Sequence, residues 1–208
     1  MSNKLLKSSF ANRFRRLLPV VVDVETSGLR PETDALLEIA IVFLDINQEG
    51  RLYCQQTFAY QVEPFIGARI DQEALAITGI DPSYPLRYAL PEQQALHNIF
   101  TKIQKKLIET HCKRAILVGH NAWFDLAFIQ AAAKRCHFHN VPFHSFTTLD
   151  TATLSAVALG ETVLAKAARK AKIPFDINQA HSAIYDVERT AELFCYLVNH
   201  YFNLIKMR

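Results

Sequence analysis

The chain reads as an α/β protein, a β-sheet flanked by helices, on two observations. Short β-branched apolar runs dominate the first third, and further along such runs alternate with longer segments of helical periodicity. Its 208 residues are 50% hydrophobic and 21% charged, with only 6 Gly. That suits one packed domain over 1–208, with a basic N-terminal segment at 1–16, and excludes a disordered or collagen-like chain.

The elements follow in order. After a short basic helix, Pro19–Thr26 is brief and β-branched, a strand. Ala35–Asp45 is a second, buried strand, and Thr57–Glu63 alternates like a third. Gln72–Thr78 makes one or two helical turns that stop at Gly79, and Asp81–Pro91 is a connection. Glu92–His111 places Leu96, Ile99, Phe100, Ile103 and Leu107 at three- and four-residue steps, an amphipathic helix. Ala115–Gly119 is a buried strand, followed by a helix from Asn121 to Arg135. Thr147–Leu149 is a short strand leading into helical Thr151–Ala158, with Asp150 as cap. Thr162–Ala171 and Ser182–Phe202 are the last helices.

The apolar runs, Leu17–Val22 and Ile39–Leu44 among them, reach no more than six residues, against about 20 for a membrane span. The cysteines (Cys54, Cys112, Cys136, Cys195) lie 24 or more residues apart, a spacing unlike a zinc knuckle or a disulfide-rich secreted domain. With no cleavable leader pattern, a reducing cytoplasm is the expected compartment. The net charge of +3 is uneven. Residues 1–16 carry five basic side chains and no acid, while the other 192 carry 18 bases against 20 acids. A basic arm on a near-neutral body suits contact with phosphates, and equally a solvated helix.

Three clusters carry chemistry. In Asp23-Val24-Glu25 the two carboxylates share a face at the end of a strand. Their repulsion calls for a hard cation, Mg²⁺ or Mn²⁺, although the same triplet is common on plain strand surfaces. In His120–Asp125, Asn121 is the expected helix cap with Asp125 in the first turn, or Asp125 points back over the sheet edge toward the same site. His181 and Asp186 are five residues apart and do not share a helix face. They converge if Ser182 begins the helix and His181 lies in the loop before it.

Taken in order, D-x-E-T-x-G (Asp23, Glu25, Thr26, Gly28), H-N-x-x-F-D (His120–Asp125) and H-x-x-x-x-D (His181–Asp186) resemble the histidine-bearing branch of the DEDD superfamily of 3′→5′ exonucleases. The tyrosine branch would need Tyr where Ser182 stands. The intervening stretches DALLEIA (34–40), VEPF (62–65), EALAITGIDP (73–82), LDTA (149–152) and AHSAIYDVERTA (180–191) resemble the ribonuclease T family. The resemblance covers nearly the whole chain.

It implies a ribonuclease H-like mixed β-sheet flanked by α-helices and a two-metal phosphodiesterase. Asp23, Glu25 and Asp186 would bind most of two Mg²⁺ ions, with Asp125 on the second ion directly or through water. His181 would be the general base, since imidazoles titrate near neutrality. The expected activity is trimming of tRNA and other stable RNA 3′ ends to nucleoside 5′-monophosphates, with activity on single-stranded DNA. Phe124 and Phe146 stand at base-wedging positions and Glu73 at a base-reading one, though both phenylalanines also read as core residues. Leu29 and Ile77 depart from the family's phenylalanines and lose π-stacking, which leaves the family's discrimination against 3′ cytosine open for this chain. A homodimer is implied, with Arg13, Arg15 and Arg114 in a patch that grips RNA, and Ile108 and His139 departing from it. The alternatives are an oligoribonuclease, a DNA proofreader, or an RNA-binding module without turnover.

Overall fold

The computed structural model describes residues 9–206. These form a five-stranded mixed sheet in the order β3-β2-β1-β4-β5. A single helical turn, α1 (Phe10–Arg13), precedes β1 (Leu17–Thr26), β2 (Leu36–Ile46) and β3 (Leu52–Gln61). Then come α2 (Gln72–Thr78), α3 (Glu92–Glu109), β4 (Arg114–Gly119), α4 (Trp123–Arg135) and β5 (Phe143–Asp150). The chain closes with α5 (Thr151–Leu159), α6 (Leu164–Lys170) and α7 (Ala183–Lys206). The expected basic helix shrinks to α1, because Arg15 and Arg16 both adopt left-handed backbone angles that end it. The remainder of that segment, residues 1–8, lies outside the described residues.

β1 is the centre of the sheet. It pairs antiparallel with β2 on one side and parallel with β4 on the other. Val20, Val21, Val22 and Val24 are all buried although they alternate in direction, so both faces of β1 are covered. Helix α7 packs across β1, β2 and β3, while α3 packs on β2, β3 and β4, and α4 on β1, β4 and β5. The apolar stripe of α3 buries Leu96, Ile99, Phe100 and Ile103 as its periodicity predicts. Each fully buried aliphatic side chain of this kind contributes about 1.5–3 kcal/mol.

Two strands begin earlier than their hydrophobicity suggests. β3 starts at Leu52 rather than Thr57, because its first half is an edge strand. Tyr53, Cys54, Gln55 and Gln56 are exposed, and backbone pairing with β2 holds them. β5 starts at Phe143 rather than Thr147, and its pairing with β4 breaks register between Ala115 and Leu117. The polar bulge hides the strand from pattern reading. α6 is shorter than expected and α7 begins at Ala183 and runs to Lys206. Among the described residues no helix is long and apolar enough to cross a membrane.

α4 is braced against α3 by a buried ion pair. Arg135 forks onto both oxygens of Glu92 (2.7 and 3.2 Å) and donates to the Pro31 carbonyl at 2.7 Å. Its guanidinium also lies 4.1 Å from the Phe65 ring centre. Glu92 is 7% exposed, so Arg135→Ala strands its charge. The expected loss is about 3 kcal/mol, measured by urea unfolding, with Arg135→Lys recovering only part of it.

Candidate active site

The end of β1 collects the acids. Asp23 and Glu25 sit at adjacent same-face positions, and Glu38 of β2 lies directly across from Glu25. α7 brings Asp186 to them from the far end of the chain. Ligand atoms of Asp23, Glu25 and Asp186 all lie within 4.8 Å of one another. Glu25 is buried and Asp23 half-buried.

The motif's two non-acidic members have steric work. A Cβ on Gly28 would overlap the Asp34 carboxylate. That carboxylate is itself fully buried, and takes the Arg30 amide at 3.0 Å and the Thr33 hydroxyl at 2.9 Å. Thr26 donates its hydroxyl to the Gly28 carbonyl at 2.6 Å. Together they fold the chain sharply away just after Glu25.

Asp125 stands apart from the close trio and does a different job. It is buried in the first turn of α4, where its Oδ1 accepts the Val24 amide at 3.1 Å, between the two motif acids. This bond locks the helix onto the strand end. Gly119, at the end of β4, leaves the room: a Cβ there would meet the Asp125 carboxylate at 3.0 Å and Ala122 at 3.1 Å. The expectation that Asn121 caps α4 is overturned. The cap position is Ala122, without a side-chain bond, and Asn121 is in a left-handed turn with φ 66. Its amide donates to Asp150 at 3.1 Å. Asp150 does cap α5, accepting the Ala152 amide at 2.9 Å, so one carboxylate ties the α4 turn to the start of α5. His120 sits under this turn, bonded to the Thr151 hydroxyl (3.0 Å) and the Thr162 carbonyl (2.7 Å).

His181 lies in the loop before α7, with φ 65. Its amide donates to Asp186 Oδ2 at 2.9 Å, and the Ser182 carbonyl accepts the Asp186 amide at 2.9 Å. One Asp186 oxygen thus holds the histidine's backbone, while the other, Oδ1, is buried without a partner. The first amide of α7, from Ala183, goes to Glu38 Oε2 at 3.3 Å, and Gln61 donates to Glu38 Oε1 at 2.6 Å. Arg87 completes the relay through Gln61 at 2.7 Å. Sequence reading missed Glu38, an acid set among the apolar residues of the first half of β2.

Burial and mutual repulsion push the acids upward. Glu25 rises to about 8, from burial first and then the charges of Asp186, Glu38 and Asp125. Asp125 also rises to about 8, mainly from burial and despite its backbone hydrogen bonds. Asp23 is held well above the ordinary carboxylate range by burial, then by Asp125, Glu25, Asp186 and Glu38. Asp186 is raised by burial and partly restored by the His181 amide. Among the described residues no lysine or arginine pairs with any of the four. An all-oxygen donor set with surplus negative charge and an unpartnered buried oxygen fits hard divalent cations.

Around this floor the other expected residues are dispersed. Leu29 is 80% exposed, Ile77 62% and Phe146 81%. Glu73 is exposed in the first turn of α2. Phe124 is half-buried, its ring 4.9 Å from Phe128 in the core. Arg13 is spent on structure, donating to the Gly50 carbonyl at 2.8 Å and the Val198 carbonyl at 3.5 Å. Arg15 is exposed. Arg114 lines a cavity of about 460 Å³ with Lys134, His137 and His139, a basic groove beside β5.

A group whose pKa is raised on folding binds extra protons in the folded state, so it weakens folding above its unfolded value. For Glu25 the penalty grows from about pH 4.5 to about pH 8 and is constant beyond. Without divalent metal, Glu25→Gln therefore stabilises the protein at pH 9, on the order of 2 kcal/mol, and hardly at pH 4. Unfolding at the two pH values checks this, and Mg²⁺ should erase the advantage. Gly119→Ala has the opposite sign, costing about 1–3 kcal/mol by crowding Asp125.

The comparisons with known proteins agree with this geometry. The RNase_T exonuclease family model matches residues 20–194. A protein of Yersinia enterocolitica named Ribonuclease T is 53% identical over 201 residues, 97% of this chain and 94% of the relative. One of Hahella chejuensis, also named Ribonuclease T, is 54% identical over 195 residues, 94% of this chain and 89% of the relative. Among solved structures, the nuclease domain of 3′hExo, a DEDDh family member bound to rAMP, superposes with a TM-score of 0.69 at 18% identity, over 88% of this chain and 92% of that one. Exonuclease I of E. coli, in complex with a dT13 oligonucleotide, gives 0.69 at 16% identity, over 92% of this chain and 43% of that one. At such identities the likeness speaks to the fold alone, whereas the near-full-length relatives above half identity speak to descent. The chain belongs to the ribonuclease T family of exonucleases.

Proposed function

We propose that the chain is a Mg²⁺-dependent 3′→5′ exoribonuclease. It trims the 3′ ends of tRNA and other stable RNAs, releases nucleoside 5′-monophosphates and accepts single-stranded DNA. The convergence of Asp23, Glu25 and Asp186 carries this reading, supported by relatives named Ribonuclease T. Bound at these acids, with Asp125 contributing to the second of two sites, Mg²⁺ (or Mn²⁺) supplies the charge that stabilises the attacking and leaving oxygens of a phosphodiester displacement.

The chain's own residues do the rest. Asp125 fixes Val24, and so the spacing of Asp23 and Glu25, through the strand amide. Asp186 grips the His181 amide and interacts with the imidazole's charge, which supports His181 as the group that takes a proton from the attacking water. Leu29 and Ile77 supply aliphatic walls and Phe146 an aromatic one for the terminal bases, with Phe124 behind them and Glu73 as the acceptor that reads a base edge. The groove that holds Arg114 and Lys134, together with Arg15, takes the RNA backbone. In the homodimer we infer, that groove serves the partner's acids. Four free thiols suit the cytoplasm as the working compartment.

The test is a 3′-extended tRNA and a single-stranded DNA incubated with Mg²⁺, with and without chelator. Chelator-sensitive release of 5′-mononucleotides from the 3′ end is expected, and its absence would refute the reading. His181→Ala should lower kcat by about a hundredfold or more with oligonucleotide binding nearly unchanged.

A further inference from the structure

Trp123 is the only tryptophan in the chain. It is 65% exposed, although indoles are highly buried on average. It opens α4, two residues before Asp125 turns inward to the Val24 amide. Two residues subtend about 200° on a helix. The indole therefore stands on the outward side of the turn whose inner side completes the acidic floor.

Two contacts place the ring. It meets Phe124 in a T-shaped pair at 5.9 Å between centres and 89° between planes, and Phe124 leans on buried Phe128. The indole is thereby braced from the core while most of its surface stays exposed. Gln130 lies seven residues on, so it shares a helix face with Trp123. It donates to the Ser145 carbonyl at 2.6 Å, next to Phe146, which is 81% exposed. Trp123 and the stretch of β5 that bears Phe146 thus lie on the same side of α4.

We propose that Trp123 is a stacking platform for an unpaired base of the substrate strand, upstream of the terminal nucleotides. The proposal rests on the exonuclease reading above. It accounts for a chain that holds aliphatic Leu29 and Ile77 at the expected base-wedging positions: aromatic surface for gripping a single strand is supplied one position before Phe124 instead. Base stacking is tolerant of sequence and sugar, so the ring adds affinity without choosing a base.

Because the chain has one tryptophan, its emission reports on this ring alone. The experiment titrates the protein in EDTA with single-stranded RNAs of two to eight nucleotides, then measures kinetics on the same ladder with Mg²⁺ for Trp123→Ala and Trp123→Phe. Quenching should begin at a threshold length. Above it Trp123→Ala should raise KM about tenfold with kcat kept, and Trp123→Phe should recover most of the loss. Below the threshold all three proteins should match. An active wild type whose emission ignores RNA overturns the proposal. So does a KM penalty equal at every length, or an emission shift that follows protein concentration and marks the ring as a contact between copies. If wild type releases no mononucleotide from any substrate, the exonuclease reading itself falls.

Discussion

Four carboxylates crowd the end of one buried strand without a basic side chain to balance them, and much of the fold around β1 exists to keep them there. Left alone, such charges would spread toward solvent or take up protons. Here the strand is fixed on both edges by β2 and β4, the helix behind it is latched by Asp125 to Val24, and α7 is latched by Glu38 to Ala183. Each latch is itself an acid accepting a backbone amide. The fold thus uses negative charge twice, once to gather cations and once to align the elements that bear it.

Much of this was legible in the linear sequence, for physical reasons. β1, β2, β4 and α3 carry apolar patterns strong enough to place them within a few residues, and α2 ends at Gly79 as read, with φ 68. The site was legible because its acids lie in three short motifs whose spacing follows from strand and helix ends. What escaped depends on partners distant in sequence. Glu38 acquires its meaning only from lying opposite Glu25, a matter of register. The first half of β3 is polar because an edge strand can face water. Asn121 looked like a helix cap because asparagine favours that place, but it favours left-handed turns as well, and the neighbouring Asp150 decided between them.

The basic segment divides in the same way. The resemblance grouped Arg13 with Arg15, and in the fold Arg13 sits between two carbonyls and staples α1 to the β2–β3 turn and to α7. Half-buried guanidinium groups often serve as such fasteners, since they can satisfy several acceptors at once. The cationic surface beside β5 is drawn instead from Arg114 of β4 and from Lys134, His137 and His139 at the end of α4 and in the turn after it.

Asp186 carries a final implication. A single side chain both joins the acidic cluster and grips the amide of the residue that bears the imidazole. Any rotation of that carboxylate displaces both functions together. The machinery is interlocked: a half-assembled arrangement, with the histidine in place but the carboxylate elsewhere, would lack the tether that defines it.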